Sequence, residues 1–301
     1  MDPNDWRGIW TSLVTPLNSD SSIDWNSLDS IVSRQLEAEV RALVMAGRCG
    51  EGSTLSAHEK LALVRRASSS AKRRGHTLVV GAVEGTSTTQ SLELCKLYQD
   101  AGADGILAYF PLDFPFVDRG IISHFKCLAS SVSIPVFICF PNPCDPFLLS
   151  SSFVDELLSL PGILGASMGG EVSSLFSSPL KSQKLFLSNS ETSFFSGQHA
   201  DKGSSFGGVV SCLANVFPRE LKAICPAHDS SKSLPARPSE AAIVAFAKSL
   251  DKYPIASAIK GCLHQQGILK PFLRLPFDTL PEDSLRGLLA ELQKITNQLE
   301  V

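Results

Sequence analysis

Short runs of Val, Ile and Leu recur along the chain without the polar alternation of a half-exposed strand, and each is followed by a stretch of helical periodicity. The runs predict strands over Gly8–Val14, Ala42–Met45, Thr77–Ala82, Gly105–Ala108, Pro135–Ile138, Ile163–Ala166, Leu185–Ser188 and Gly208–Cys212. Between them, helical patterns cover Trp25–Glu39, Ser56–Arg74, Ser87–Ala101, Arg119–Ser131 and Ser151–Leu158. Ser56 followed three residues later by Glu59 spells a capping box, and the AGADG of Ala101–Gly105 suits a helix-to-strand turn. Strands apolar on both faces, each trailed by a helix, imply a parallel sheet covered on both sides. Eight such units within about 220 residues predict a (β/α)8 TIM barrel, an α/β fold. A doubly wound sheet is the competing arrangement, but no GxGxxG follows the first strand.

After residue 225 the pattern changes. The polar, Pro- and Ser-rich CPAHDSSKSLPARPSE reads as a loop or linker. Helical segments then follow over Ala241–Leu250, Ala256–Gln266 and Pro281–Leu299. The expected organisation is a barrel over 1–225 and a linker with C-terminal helices over 226–301, packed on the barrel as one structural unit.

Composition narrows the partners. With 44% hydrophobic and 19% charged residues and a formal net charge of -3, the 301-residue chain suits a soluble globular protein. Nothing in it points to nucleic acid. No apolar run approaches the roughly 20 residues needed to cross a bilayer, and the N-terminus lacks a secretory pattern. A cytoplasmic protein is expected. The eight cysteines are scattered, with no CxxC pair and no metal-like His spacing. Neither a metal nor a cofactor is expected.

Five segments, in order and in register, resemble the dihydrodipicolinate synthase / N-acetylneuraminate lyase family: WTSLVTPLNSDSSIDWNSL (10–28), GRCGEGSTLSAHEK (47–60), AGADGILAYFP (101–111), the HFK within Ser123–Ala129, and GGVVSCLANVFP (207–218). The last is similar to the 4-hydroxy-2-oxoglutarate aldolase branch. The resemblance implies a (β/α)8 barrel assembled as a dimer or tetramer. It also implies a strand-6 lysine that forms a Schiff base with a 2-oxo acid such as pyruvate, where the iminium acts as electron sink. A tyrosine would shuttle protons, and a hydroxyl-rich loop after strand 2 would hold the carboxylate.

The polar positions of that machinery are replaced here. Where the family has G-[IVM]-K-[DE], this chain has Gly165-Ala166-Ser167-Met168, so Ser167 stands at the lysine position. A hydroxyl cannot form an iminium. The carboxylate loop G-T-T-G-E appears as Gly47-Arg48-Cys49-Gly50-Glu51, P-Y-Y-N as Pro111-Leu112-Asp113-Phe114, and the shuttle tyrosine falls at Cys139, give or take one position. The arginine that follows strand 5 lies near Pro143. None of the fourteen lysines falls at the expected site, Lys184 being at the opposite, entry end of strand 7.

Two readings follow. In the first the chain is a pseudoenzyme or a metabolite- or partner-binding barrel, its pocket plugged by an Arg48–Asp113 ion pair. In the second, Arg48 is unpaired and anchors a carboxylate for a lysine-independent lyase, hydratase or isomerase that uses Asp113, Cys139 and Ser167. Candidate ligand-binding positions, besides Arg48, are Cys49, Asn189, Glu191 and Val209. The candidate ligand is a small carboxylate or 2-oxo acid, and the partner a further copy of the chain.

Overall fold

The computed structural model describes residues 2–85, 87–111, 117–140, 150–169, 180, 183–195, 206–225 and 238–299. Eight strands, β1 (Gly8–Ser12), β2 (Ala42–Met45), β3 (Leu78–Val83), β4 (Gly105–Tyr109), β5 (Val136–Cys139), β6 (Ile163–Met168), β7 (Leu185–Ser188) and β8 (Gly208–Ser211), close into a barrel. Every neighbouring pair is parallel, and β1 seals against β8 with Gly8 opposite Gly208. All eight expected strands are present. Four run further than their apolar runs suggested, β3 to Val83, β4 to Tyr109, β5 to Cys139 and β6 to Met168, and this gives those terminal residues a strand-defined direction.

Helices follow the strands: α1 (Trp25–Glu37), α2 (Ala57–Arg74), α3 (Thr88–Asp100), α4 (Asp118–Ser131), α5 (Ser151–Ser159), the short α6 (Glu191–Phe195) and α7 (Pro218–Ile224). The expected capping box starts α2, with Ser56 Oγ accepting from the Glu59 amide and Glu59 Oε2 accepting from the Ser56 amide. Gly102 takes φ +90° in the turn after α3, a left-handed conformation that glycine adopts without cost. Helices α8 (Pro238–Leu250), α9 (Ile255–Gln265) and α10 (Glu282–Leu299) complete the chain. Among the described residues no helix is long and apolar enough to cross a membrane.

Two apolar layers result from strand alternation. Outward residues such as Ile9, Leu43, Val79, Ile106, Ile138, Ala166 and Met168 join the helices in one core, while Trp10, Val44, Val80, Leu107, Phe137 and Leu187 fill the lumen. The lower lumen is plugged by aromatics. Phe137 lies 5.0 Å from Trp6 and 4.8 Å from Trp10, ring centre to ring centre, and the Trp10 indole donates to the Trp6 carbonyl at 2.9 Å. This packing leaves the strands' C-terminal ends as the place where the lumen turns polar.

Candidate functional site

One step above the aromatic plug, three neighbouring strands each contribute a polar side chain. Tyr109 on β4 is in register with Cys139 on β5, and Cys139 with Ser167 on β6. Tyr109 and Cys139 belong to the lumen cluster. Ala166 and Met168 face the outer core, so alternation turns Ser167 inward as well. Asn189, just past β7, closes the row: its amide nitrogen donates to the Met168 carbonyl at 3.1 Å, and its Nδ2 to the Phe140 carbonyl at 3.0 Å.

The loop after β2 brings Arg48 over this row. Its tight winding depends on local stereochemistry: Ala46 and Glu51 take left-handed φ of +56° and +54°, and Gly50 and Gly52 donate to the Gly47 carbonyl at 3.0 Å. At Gly52 any Cβ would collide with the Ala46 carbonyl oxygen. Arg48 is thereby set with its guanidinium 4.8 Å over the Tyr109 ring, a cation–π contact. Its Nε donates to Glu84 Oε1 at 3.1 Å. The Arg48 side chain stays half exposed, and among the described residues its two terminal nitrogens have no hydrogen-bond or ion-pair partner.

Beneath the loop lies a buried charge network. Glu51 forms an ion pair with Lys260 of α9, both side chains fully buried. Lys260 Nζ also donates to the Phe272 carbonyl at 2.7 Å, and the Arg274 amide donates to Glu51 Oε2 at 2.9 Å. Arg274 in turn reaches Glu59 at 2.7 Å. The C-terminal helices therefore brace the loop that carries Arg48.

The protic groups of the lumen are neutral near pH 7. Burial pushes the Cys139 thiol up to about 12, and burial raises the Tyr109 phenol well above its ordinary value. Neither can serve as a base at neutral pH. Among the described residues no lysine fills the gap. Lys184 donates to the Ile163 carbonyl at 2.6 Å, at the entry end of β6, and Lys260 is held by Glu51. Lys60, buried on α2 in the helix layer, is the described lysine with an electrostatic link to the site: burial lowers its pKa and Glu84 draws it back up.

Of the residues singled out from the sequence, Arg48, Cys139, Ser167 and Asn189 come together at the top of the lumen. Three others do not. Cys49 is turned down into the outer core, 4.0 Å from Asn215 Nδ2, with its pKa pushed well up by the neighbouring Cys212 thiol and by burial. Glu191 accepts from Ser211 Oγ at 2.5 Å and from the Leu213 amide at 2.7 Å, which ties it to the turn after β8. Val209 faces the helices, because on β8 it is Val210 that packs toward the lumen. Asp113 lies outside the described residues, and the partner that Arg48 takes is Glu84. Tyr109 and Glu84 were not anticipated. Counting two residues on from the inward Leu107 would have found Tyr109; no sequence signal marked Glu84.

Among the described residues, no group of three or more His, Cys, Asp or Glu side chains is placed to hold a metal ion. The model of the dihydrodipicolinate synthetase family matches residues 5–295. The 4-hydroxy-tetrahydrodipicolinate synthase of Stutzerimonas stutzeri is 28% identical over 285 residues, covering 91% of this chain and 93% of its own. That of Anaplasma marginale (strain St. Maries) is 25% identical, covering 97% of each. Among solved structures, the dihydrodipicolinate synthase of Acinetobacter baumannii complexed with pyruvate superposes with a TM-score of 0.84 at 24% identity, over 97% of this chain and 99% of that one. At these identities the superposition speaks for the fold.

Proposed function

The chain belongs to the dihydrodipicolinate synthetase family, and on that footing we propose that it is a barrel that binds a small carboxylate on Arg48 and does not run a Schiff-base aldolase reaction. The observation that carries this reading is the half-exposed Arg48, whose Nε is held by Glu84 and whose terminal nitrogens have no partner among the described residues, above strands β1–β8 that carry no lysine at their described C-terminal ends. A guanidinium fork offers a carboxylate two parallel hydrogen bonds. The loop around Arg48 stands where the family's carboxylate-holding threonines stand, and the pyruvate bound in the Acinetobacter enzyme carries a carboxylate of the same class.

Among the described residues, the acid–base inventory favours binding over lysine-independent catalysis. General-base catalysis wants a group that titrates near the working pH. Cys139 and Tyr109 are held far above it, and Glu84 is engaged by Arg48. A dimer or tetramer of the chain is part of the reading; the exposed Val117 and Leu275 are apolar surface that such an assembly would cover.

Thermal shift of the purified protein against 2-oxo acids, hydroxy acids and dicarboxylates, with Arg48→Ala as control, tests the reading. A ligand at about 100 times its Kd stabilises by about 2.7 kcal/mol. A shift that disappears in Arg48→Ala is expected. Silence across the panel, or a shift indifferent to Arg48, contradicts it.

A further inference from the structure

Two cysteines from separate loops meet at the top of the barrel. Cys49 follows Arg48 in the loop after β2, and Cys212 stands directly after β8. Strands β2 and β8 both flank β1, so the chain segments that leave them are neighbours. The two side chains pack in the same outer core and share a hydrogen bond, thiol to thiol. Asn215 holds both residues from one atom: its Nδ2 lies 4.0 Å from Cys49 Sγ and donates to the Cys212 carbonyl at 2.7 Å. The same nitrogen reaches the Ser12 carbonyl at 2.8 Å, which ties the pair to β1.

The two thiols are unequal. Cys49 is fully buried, whereas Cys212 is partly exposed. The hydrogen bond with Cys212, and burial after it, push the Cys49 thiol well up, so Cys49 keeps its proton at neutral pH. A buried, protonated thiol is a poor target for an oxidant in solution, and a partly exposed one is a better target. An accessible thiol with a second thiol in contact is the arrangement of a redox-sensitive pair, in which one sulfur meets the oxidant and the other resolves it. The remaining buried thiols differ. Cys95, Cys225 and Cys262 are pushed up to about 12 by burial alone.

We propose that Cys49 and Cys212 form a reversible disulfide when the protein meets a hydroperoxide. The Cys212 sulfur, its proton lost to solvent, attacks one peroxide oxygen. The O–O bond breaks, leaving a sulfenic acid on Cys212 and releasing hydroxide, which takes up a proton as water. The Cys49 sulfur then attacks the Cys212 sulfur. An S–S bond forms, the S–O bond breaks, and the departing hydroxide leaves with the Cys49 proton as a second water. Two thiols are oxidised by two electrons and one hydrogen peroxide is reduced to two waters. The bond ties the loop that carries Arg48 to the turn after β8, and a dithiol reductant opens it again by exchange. Nothing in this chemistry requires a ligand on Arg48.

Intact mass and peptide mapping of the reduced protein, treated with hydrogen peroxide at a dose that oxidises the exposed Cys127, test the assignment. A species about 2 Da lighter is expected, returning to the starting mass with dithiothreitol. After trypsin without reduction, the peptide Cys49–Lys60 should be found joined to Gly203–Arg219. Cys49→Ser and Cys212→Ser should each abolish that joined peptide. In Cys49→Ser the sulfenic acid should persist on Cys212 and be captured by dimedone, whereas in Cys212→Ser position 49 should stay unlabelled. Absence of the joined peptide while Cys127 is oxidised overturns the proposal, as does a crosslink that pairs either cysteine with a different one. Dimedone capture at Cys49 in Cys212→Ser would contradict the order of attack and overturn it as well.

Discussion

Arg48 and Glu84 are joined by one hydrogen bond, Nε to Oε1 at 3.1 Å, which fixes the guanidinium without occupying its fork. Glu84 thus orients Arg48 and at the same time neutralises it. Glu84→Gln keeps an acceptor for Nε but removes a negative charge beside the incoming carboxylate. Carboxylate affinity should rise several-fold in this variant, and the melting temperature should barely move because a part-exposed pair is worth about 0–1 kcal/mol. Weaker binding by titration calorimetry would show that Glu84's charge is needed to hold Arg48 in place.

The brace under the loop is the opposite case. Lys260→Met strands the Glu51 carboxylate in a fully buried position. Removing one partner of a buried pair costs about 3–5 kcal/mol. Urea denaturation should show a loss of that order, whereas a change under about 1 kcal/mol would mean that Glu51 takes up a proton or finds another donor at little cost.

Glu59 makes the stability of the same corner depend on acid. Its hydrogen bonds with Arg274 hold its carboxyl at about 2, against an ordinary 4.5. A depressed carboxyl stabilises the fold above the unfolded value and loses that contribution as pH falls through the folded one. The contribution is therefore complete above about 4.5 and declines toward 2. Melting temperatures of wild type and Glu59→Gln should differ at neutral pH and converge as pH falls toward about 2, the variant having the flatter acid limb. Parallel curves across that range would refute the assignment.

Restoring a lysine alone should not restore the family reaction. Ser167→Lys would place an amine beside Cys139, whose thiol near 12 cannot relay protons at neutral pH. No aldol cleavage is expected in a pyruvate-release assay of Ser167→Lys. Robust turnover would show that the other replaced positions matter little.

The barrel was legible because its strands are buried on both faces and so appear as unbroken apolar runs. The site was legible only in part. Arg48, Cys139, Ser167 and Asn189 were found by position along the family pattern, and they do meet. Strand ends decided the rest: Val209 and Val210 differ by one place, and that place separates the outer core from the lumen. Cys49 shares a loop with Arg48, but Arg48 reaches Glu84 and the Tyr109 ring while Cys49 packs into the outer core. Glu84 pairs with Arg48 across 36 positions of sequence, a long-range contact with no local pattern.

The central claim, that no lysine of this barrel forms an iminium with a 2-oxo acid, is tested most directly by trapping. The wild-type protein is incubated with pyruvate, reduced with borohydride, and its intact mass is measured. An unchanged mass is predicted. A stable adduct, whether mapped to the buried Lys60 or to any other lysine, would contradict the account and return the chain to the chemistry of its family.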